Sequence, residues 1–196
     1  MDKDAILQAL ADAKVVKFGE FTLVSGEKSP IYVDLRQLPS YPQPFDTVTT
    51  GLAELAKSTG ATVLAGMETA GIPLAAAMAI KLKKPMIYVR KKQKDYGTKS
   101  RIEGVVRPGD KIILVDDLMT RGTSKIDFID AVKEAGYDVK DLAIVLDREQ
   151  GGADELAKIG VKLHKLVTLK ELLAYVLNKR LITSEQYNRV IDYLKK

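Results

Sequence analysis

Two adjacent carboxylates, Asp116 and Asp117, follow the apolar run Ile112, Ile113, Leu114 and Val115 and precede a loop of small and hydroxylated residues, Thr120, Gly122, Thr123 and Ser124. Carboxylates accept hydrogen bonds from sugar hydroxyls, directly or through a hard cation such as Mg²⁺. Threonine and serine hydroxyls donate to phosphate oxygens, and a glycine lets the backbone approach a ligand closely. In this order the parts suit a phosphorylated sugar, with its hydroxyls at the acids and its phosphate at the loop, since a phosphate against both acids would be repelled. No G-x-x-x-x-G-K-[ST] occurs, so the loop is not a nucleoside-triphosphate P-loop. An ordinary turn whose acids cap the following helix would use the same residue types, and both readings stand on composition alone.

Three other stretches carry candidate chemistry. Residues 90–101 are basic and polar with no apolar periodicity, and include Arg90, Lys91, Lys94 and Tyr96. This is a solvated connector or a cationic loop that closes on an anion and releases it. Glu68, Thr69, Ala70 and Gly71 form a short turn between an apolar run and a helical pattern, where free amides can meet an anion, although Glu68 is out of place there. Asp147, Arg148 and Glu149 end another apolar run. The planar fork of Arg148 either grips a carboxylate ligand or pairs with a neighbouring acid.

The elements that must position these groups alternate. Apolar runs at 62–66, 85–89, 112–115, 142–146 and 161–166 read as buried strands, the acids falling where the 112–115 strand ends. Helical patterns lie between them: 45–57, 71–80 with Pro73 in its first turn, and a stretch with Ile126, Phe128, Ile129, Val132 and Ala135 on one face, closed by Gly136. The order strand, loop, helix predicts an α/β fold, with ligands outside the carboxyl ends of the strands. A helix over 3–13 precedes it, then two extended pieces, 21–24 and 31–35, flanking a tight turn. Helices from about 156, from Thr168 and from the capping box Thr183–Gln186 close the chain, which divides into an N-terminal appendage (about 1–43), an α/β core (about 44–167) and C-terminal helices (about 168–196) of a single domain.

The 196 residues are 46% hydrophobic, enough for a packed core. With no cysteine there is no disulfide or thiolate metal site, and a single histidine, His164, excludes a histidine cluster. No apolar run is long enough to span a bilayer and no signal-peptide pattern opens the chain, so a cytoplasmic protein without membrane contact is expected. The formal net charge is +5, which suits a nucleic acid, a polyanionic small molecule or merely Lys-rich solvated helices; Lys and Arg are spread along the chain, densest between Arg90 and Arg101, and this weighs against a nucleic acid.

Segment 112–124 resembles the phosphoribosyl-pyrophosphate (PRPP) motif of the type I phosphoribosyltransferases: apolar strand, two acids, two variable residues, Thr, any residue, Gly, a small residue, Ser or Thr. Phe21, Leu23, Ser25, Gly26, Ser29, Pro30, Tyr32, Asp34 and Arg36 are similar in type and spacing to the N-terminal hood of the orotate branch of that family. Residues 90–97 and 147–152 resemble that branch's catalytic loop and its base-recognition segment. The resemblance implies the type I fold, a mostly parallel sheet flanked by helices with a small hood, and transfer of phosphoribose from PRPP to orotate in pyrimidine (UMP) synthesis. It implies that Asp116 and Asp117 hold the ribose hydroxyls, and that Leu118, Met119, Thr120, Arg121, Gly122, Thr123 and Ser124 wrap the 5′-phosphate. Glu68, Thr69, Ala70 and Gly71 become the pyrophosphate loop; Arg90, Lys91, Lys94 and Tyr96 the catalytic loop, with Lys94 catalytic; Thr120 and Arg148 the orotate contacts. Mg²⁺ is implied as the cofactor, bound mainly through PRPP, with a homodimer whose loops cross into the neighbour's site. Val24 and Ala70 stand where the family often has Lys. A purine-using member of the family, or a non-catalytic regulator that binds nucleic acid, is the alternative.

Overall fold

The runs at 63–67, 112–115 and 142–146 have no polar residue on either alternating face, so strands made from them must be covered on both sides. In the computed structural model, which describes residues 2–22, 26–93 and 100–195, they are the central strands of a covered sheet. In chain order the elements are α1 (Lys3–Asp12), β1 (Val16–Thr22), β2 (Lys28–Val33), a 3₁₀ turn (Leu35–Ser40), α2 (Pro42–Thr59), β3 (Val63–Met67), α3 (Gly71–Leu82), β4 (Met86–Val89), β5 (Ile102–Glu103), β6 (Ile112–Met119), α4 (Thr123–Glu134), β7 (Val139–Asp147), α5 (Gly152–Lys158), β8 (Lys162–Thr168), α6 (Leu169–Asn178) and α7 (Ser184–Leu194).

The six-stranded sheet has the order β5-β4-β3-β6-β7-β8, parallel except for β5. Successive residues of β6 serve opposite faces. Ile113 and Val115 join a core with Leu10, Leu52, Leu74 and Leu172 from α1, α2, α3 and α6, whereas Ile112 and Leu114 pack with Phe128, Ile129 and Leu156 from α4 and α5. The chain moves outward from β3 to β4 and β5, then returns to the other side of β3 to lay down β6. The strand order therefore reverses between β3 and β6, which is where open α/β sheets take ligands.

The expected strand end at the acids is corrected. β6 runs on to Met119, so Asp116 and Asp117 lie inside it. Pairing with β3 stops at Val115, opposite Gly66, while pairing with β7 continues to Met119 opposite Asp147. The acids therefore keep one paired flank and face a crevice on the other.

The N-terminal pair also differs from expectation. β1 and β2 pair antiparallel from Val16↔Val33 to Thr22↔Lys28, earlier in the chain than 21–24 and 31–35, with an irregularity between Phe18 and Phe21. Leu35 leaves the strand for the 3₁₀ turn because its side chain enters the core. Helix α5 starts at Gly152 rather than near 156, and both C-terminal helices open on complete capping boxes, Thr168 with Glu171 and Thr183 with Gln186.

Two glycines let α3 sit directly on the sheet beside the crevice. A Cβ at Gly66 would lie 2.8 Å from the Gly71 carbonyl oxygen, and one at Gly71 would overlap the Val115 carbonyl oxygen on β6. Gly71→Ala must push the start of α3 off the sheet, and overpacking of this kind costs about 1–3 kcal/mol. Denaturant unfolding should show that loss; a midpoint equal to wild type would mean that α3 shifts freely.

Candidate active site

The crevice is bounded by β6, by the two turns that open α3 and α4, and by the turn after β7. Asp116 is 6% exposed, and its Oδ2 accepts a hydrogen bond from the Lys125 ammonium in the first turn of α4. Burial drives the Asp116 carboxyl up to about 6; Lys125 opposes this and the like charge of Asp117 adds to it. Asp117 is partly exposed and is the acid open to a ligand. Beyond it lies the end of the hood. Arg36 donates to the Tyr32 hydroxyl and pairs with Asp34 at 3.3 Å; Tyr32, Asp34 and, more weakly, Asp117 together raise its pKa.

The turn from β6 into α4 presents donors. Gly122 adopts φ +83° and its carbonyl accepts from the amides of Lys125 and Ile126, so the helix ladder begins there. The amides of Arg121, Gly122, Thr123 and Ser124 have no acceptor among the described residues, and the Thr123 and Ser124 side chains are exposed. Four free N–H groups at the positive end of a helix dipole fit a phosphate. Leu118 and Met119 contribute differently from their neighbours. Both side chains belong to the core, Met119 fully buried, which leaves their backbone to meet a ligand. The turn is held by close backbone approach: the Gly152 amide donates to the Thr120 carbonyl at 3.1 Å, and a Cβ at Gly152 would overlap that oxygen. That is the physical reason for a glycine at 152.

The turn from β3 into α3 is similar. The amides of Thr69, Ala70 and Gly71 have no acceptor among the described residues. Glu68 is not a repulsive element in that cradle, because its carboxylate accepts from the Lys91 amide at 2.6 Å and ties the turn to the base of the basic segment. That base is anchored twice more. The Arg90 amide donates to the Arg101 carbonyl at 2.7 Å, and the Arg101 guanidinium grips both carboxylate oxygens of Asp127 on α4 at 3.1 and 2.6 Å. Arg90 itself pairs with Glu103 at 3.8 Å, and Lys91 is exposed. Lys94, Tyr96 and Val24 lie outside the described residues.

Arg148 is the most informative side chain. Its Nε and Nη2 are buried and have no hydrogen-bond partner among the described residues. The neighbouring acids that sequence offered as partners are occupied elsewhere. Asp147 accepts from Lys165 Nζ at 2.7 Å and from the Glu149 amide at 2.8 Å, and Glu149 pairs with Lys170 at 3.5 Å. Burial lowers the Arg148 pKa, opposed by the nearby Tyr193 hydroxyl and Glu27. Nε and Nη2 share one edge of the guanidinium, the edge that receives a carboxylate bidentately. Its backbone amide donates to the Met119 carbonyl at 2.9 Å, fixing Arg148 beside the β6–α4 turn.

Sequence reasoning missed Lys125. The signal was present: a lysine in a helix's first turn opposes the dipole and calls for a specific partner. His164 bonds to Asp141 at 2.7 Å and is not among the crevice residues.

Known proteins resemble this chain in sequence and in fold. Residues 38–168 match the family model described as "Phosphoribosyl transferase domain". An orotate phosphoribosyltransferase of Sulfolobus acidocaldarius is 34% identical over 97% of this chain and 96% of its own length. A UMP synthase of Leishmania donovani superposes with a TM-score of 0.89 at 32% identity, covering 100% of this chain and 42% of that one. An orotate phosphoribosyltransferase of Aeropyrum pernix gives 0.76 at 31% identity over 87% of this chain and 98% of its own.

The Asp116–Lys125 pair has a pH signature. A carboxyl whose folded value exceeds its unfolded value keeps its proton in the native chain after the unfolded chain has lost it, so its contribution to stability falls as pH rises from about 4 to about 6. Lys125→Met strands a buried charge above that window, and the loss at pH 7 should reach about 3–5 kcal/mol by denaturant unfolding. At pH 5, where Asp116 is protonated, the gap to wild type should narrow. An equal gap at both pH values would contradict the pairing.

Proposed function

The chain belongs to the orotate phosphoribosyltransferases, within the phosphoribosyl transferase domain family, and we propose that it transfers the phosphoribosyl group of PRPP to orotate, giving orotidine 5′-monophosphate and pyrophosphate in pyrimidine synthesis. The observation that carries the choice of base is the buried Arg148 edge with two unpartnered donors. A carboxylate satisfies both at once, and a purine offers no such group.

The rest of the crevice is allocated by charge. The amides of residues 121–124 and the hydroxyls of Thr123 and Ser124 hold the 5′-phosphate. Asp117, with Asp116 behind it, accepts from the ribose hydroxyls, and Thr120 stands between ribose and base. The amides of Thr69, Ala70 and Gly71 take the pyrophosphate, with Ala70 contributing its amide where relatives often have a lysine side chain. As the bond from the anomeric carbon to pyrophosphate breaks, positive character grows on the ribose and negative charge on the leaving group. Asp116 and Asp117 suit the first; Arg90, Lys91 and Lys94 suit the second. The base nitrogen then bonds to the anomeric carbon. Orotate arrives already anionic, so no dedicated strong base is needed.

Among the described residues no cluster of three metal-ligating side chains occurs, while Asp117 offers a hard oxygen beside the phosphate cradle. That donor set fits Mg²⁺ carried on PRPP with one protein carboxylate. Bound there, the ion would offset charge on the pyrophosphate. We further place the enzyme in the cytoplasm as a homodimer whose basic loops, with Lys94 and Tyr96, reach into the neighbouring copy's site.

Orotate consumption should require both PRPP and Mg²⁺ and stop on chelation, with hypoxanthine and adenine inert in a pyrophosphate-release assay. Arg148→Ala should raise the KM for orotate by at least about tenfold, the scale of losing charge-assisted hydrogen bonds, and leave that for PRPP nearly unchanged. Equal effects on both would remove Arg148 from the carboxylate.

Lys94→Ala should lower kcat by about 100-fold, as losing one transition-state donor does. Mixed with Asp117→Ala chains, it should recover activity in heterodimers that carry one intact site. Heterodimers without recovery would contradict a loop acting across the interface.

A further inference from the structure

We propose that Asp147, the last residue of β7, is a positioning residue that fixes the backbone carrying Arg148 for the substrate carboxylate; this rests on the orotate reading above. Arg148 serves that purpose best if its open edge is aimed before the ligand arrives, because a long side chain ordered only on binding costs affinity. The direction in which a side chain leaves the main chain is set by the two peptide planes on either side of its Cα. Both planes are held here. The one before Arg148 is held through its own amide, which donates to the Met119 carbonyl at 2.9 Å. The one after it is held through the Glu149 amide, which donates to Asp147 Oδ1 at 2.8 Å. The first is a backbone bond that no substitution removes. The second depends on one side chain.

The carboxylate that does this is itself firmly built in. Asp147 is 2% exposed, and its other oxygen, Oδ2, accepts from Lys165 Nζ on β8 at 2.7 Å. A buried acid needs such a cation, but the ion pair occupies only one of its two oxygens. The turn uses the other. It needs it because Glu149 stands at φ +56°, in the left-handed region that a residue with a Cβ enters at a cost in free energy. The Glu149 side chain is drawn aside by Lys170 on α6 at 3.5 Å, so neither acid flanking Arg148 takes its buried Nε and Nη2. The far end of the turn is held by the Gly152 amide on the Thr120 carbonyl. Without the Asp147 bond, Glu149 can return to the right-handed region. The 148–149 peptide then rotates and carries the Arg148 side chain with it.

The test is steady-state kinetics of the full chain. Asp147→Ala removes the acceptor and should raise the KM for orotate about 3- to 10-fold, the scale of one hydrogen bond, with kcat and the KM for PRPP within about twofold of wild type. Asp147→Asn keeps an oxygen for the Glu149 amide while losing the charge, and its orotate KM should stay within about twofold of wild type. Asp147→Leu combined with Lys165→Met exchanges the ion pair for apolar side chains, a change that folded proteins often tolerate. It also lacks the acceptor, so it should show the Asp147→Ala effect even if Asp147→Ala itself is too unstable to assay. In an Arg148→Ala background, Asp147→Ala should not raise the orotate KM further, because the group it positions is gone. A folded variant without the Asp147 acceptor but with wild-type orotate KM overturns the role, as does one in which both KM values rise together. An Asp147→Asn enzyme as impaired as Asp147→Ala overturns it too. An Arg148→Ala enzyme with wild-type orotate KM removes the orotate reading itself, so the two failures are separable.

Discussion

The arrangement depends on one mismatch in strand length. β3 stops pairing with β6 at Val115, while β7 continues beside β6 to Met119. The last four residues of β6 are thus held rigidly on one side and open on the other. Asp116 and Asp117 occupy that half-paired stretch, so the acids sit on a strand and not on a loop. Everything else in the crevice is set against it. Gly71 brings α3 down onto the Val115 carbonyl, and Gly152 brings the β7–α5 turn against the Thr120 carbonyl. Replacing either small residue would move a turn that, on the proposed reading, meets a phosphate at hydrogen-bonding distance.

The second organising feature is how charge is distributed among buried groups. Burying an ion is unfavourable unless it is paired. Asp116 has Lys125, and Asp147 has Lys165 and the Glu149 amide. Glu68, only partly buried, accepts from the Lys91 amide. With these acids committed, Arg148 is left with two buried donors and no acceptor among the described residues. An anion with two coplanar oxygens would satisfy both donors, and on the proposed reading that is the carboxylate of the base. The free amides of the two turns would serve the phosphates in the same way. On that reading phosphate and base are recognised by different means, amides for one and a guanidinium edge for the other.

Much of this was legible in sequence, for a reason particular residues make plain. Asp116 to Ser124 lie in one continuous segment, so their order states their geometry. The doubly covered strands were visible because Ile112–Val115 and Leu142–Leu146 are apolar at every position. What local pattern could not give was anything decided by a distant partner. Leu118 and Met119 read as variable loop positions, yet they extend β6 because β7 pairs with them. That Asp147 and Glu149 do not pair with Arg148 follows from Lys165 on the next strand and Lys170 on α6. Glu68 looked misplaced until the Lys91 amide was seen to bind it.

A crystal structure of the chain with orotidine 5′-monophosphate bound tests the account most directly. The base carboxylate should lie on Nε and Nη2 of Arg148, with the 5′-phosphate against the amides of residues 121–124 in the same molecule. A carboxylate elsewhere with Arg148 still unpartnered, or a phosphate away from that turn, would contradict it.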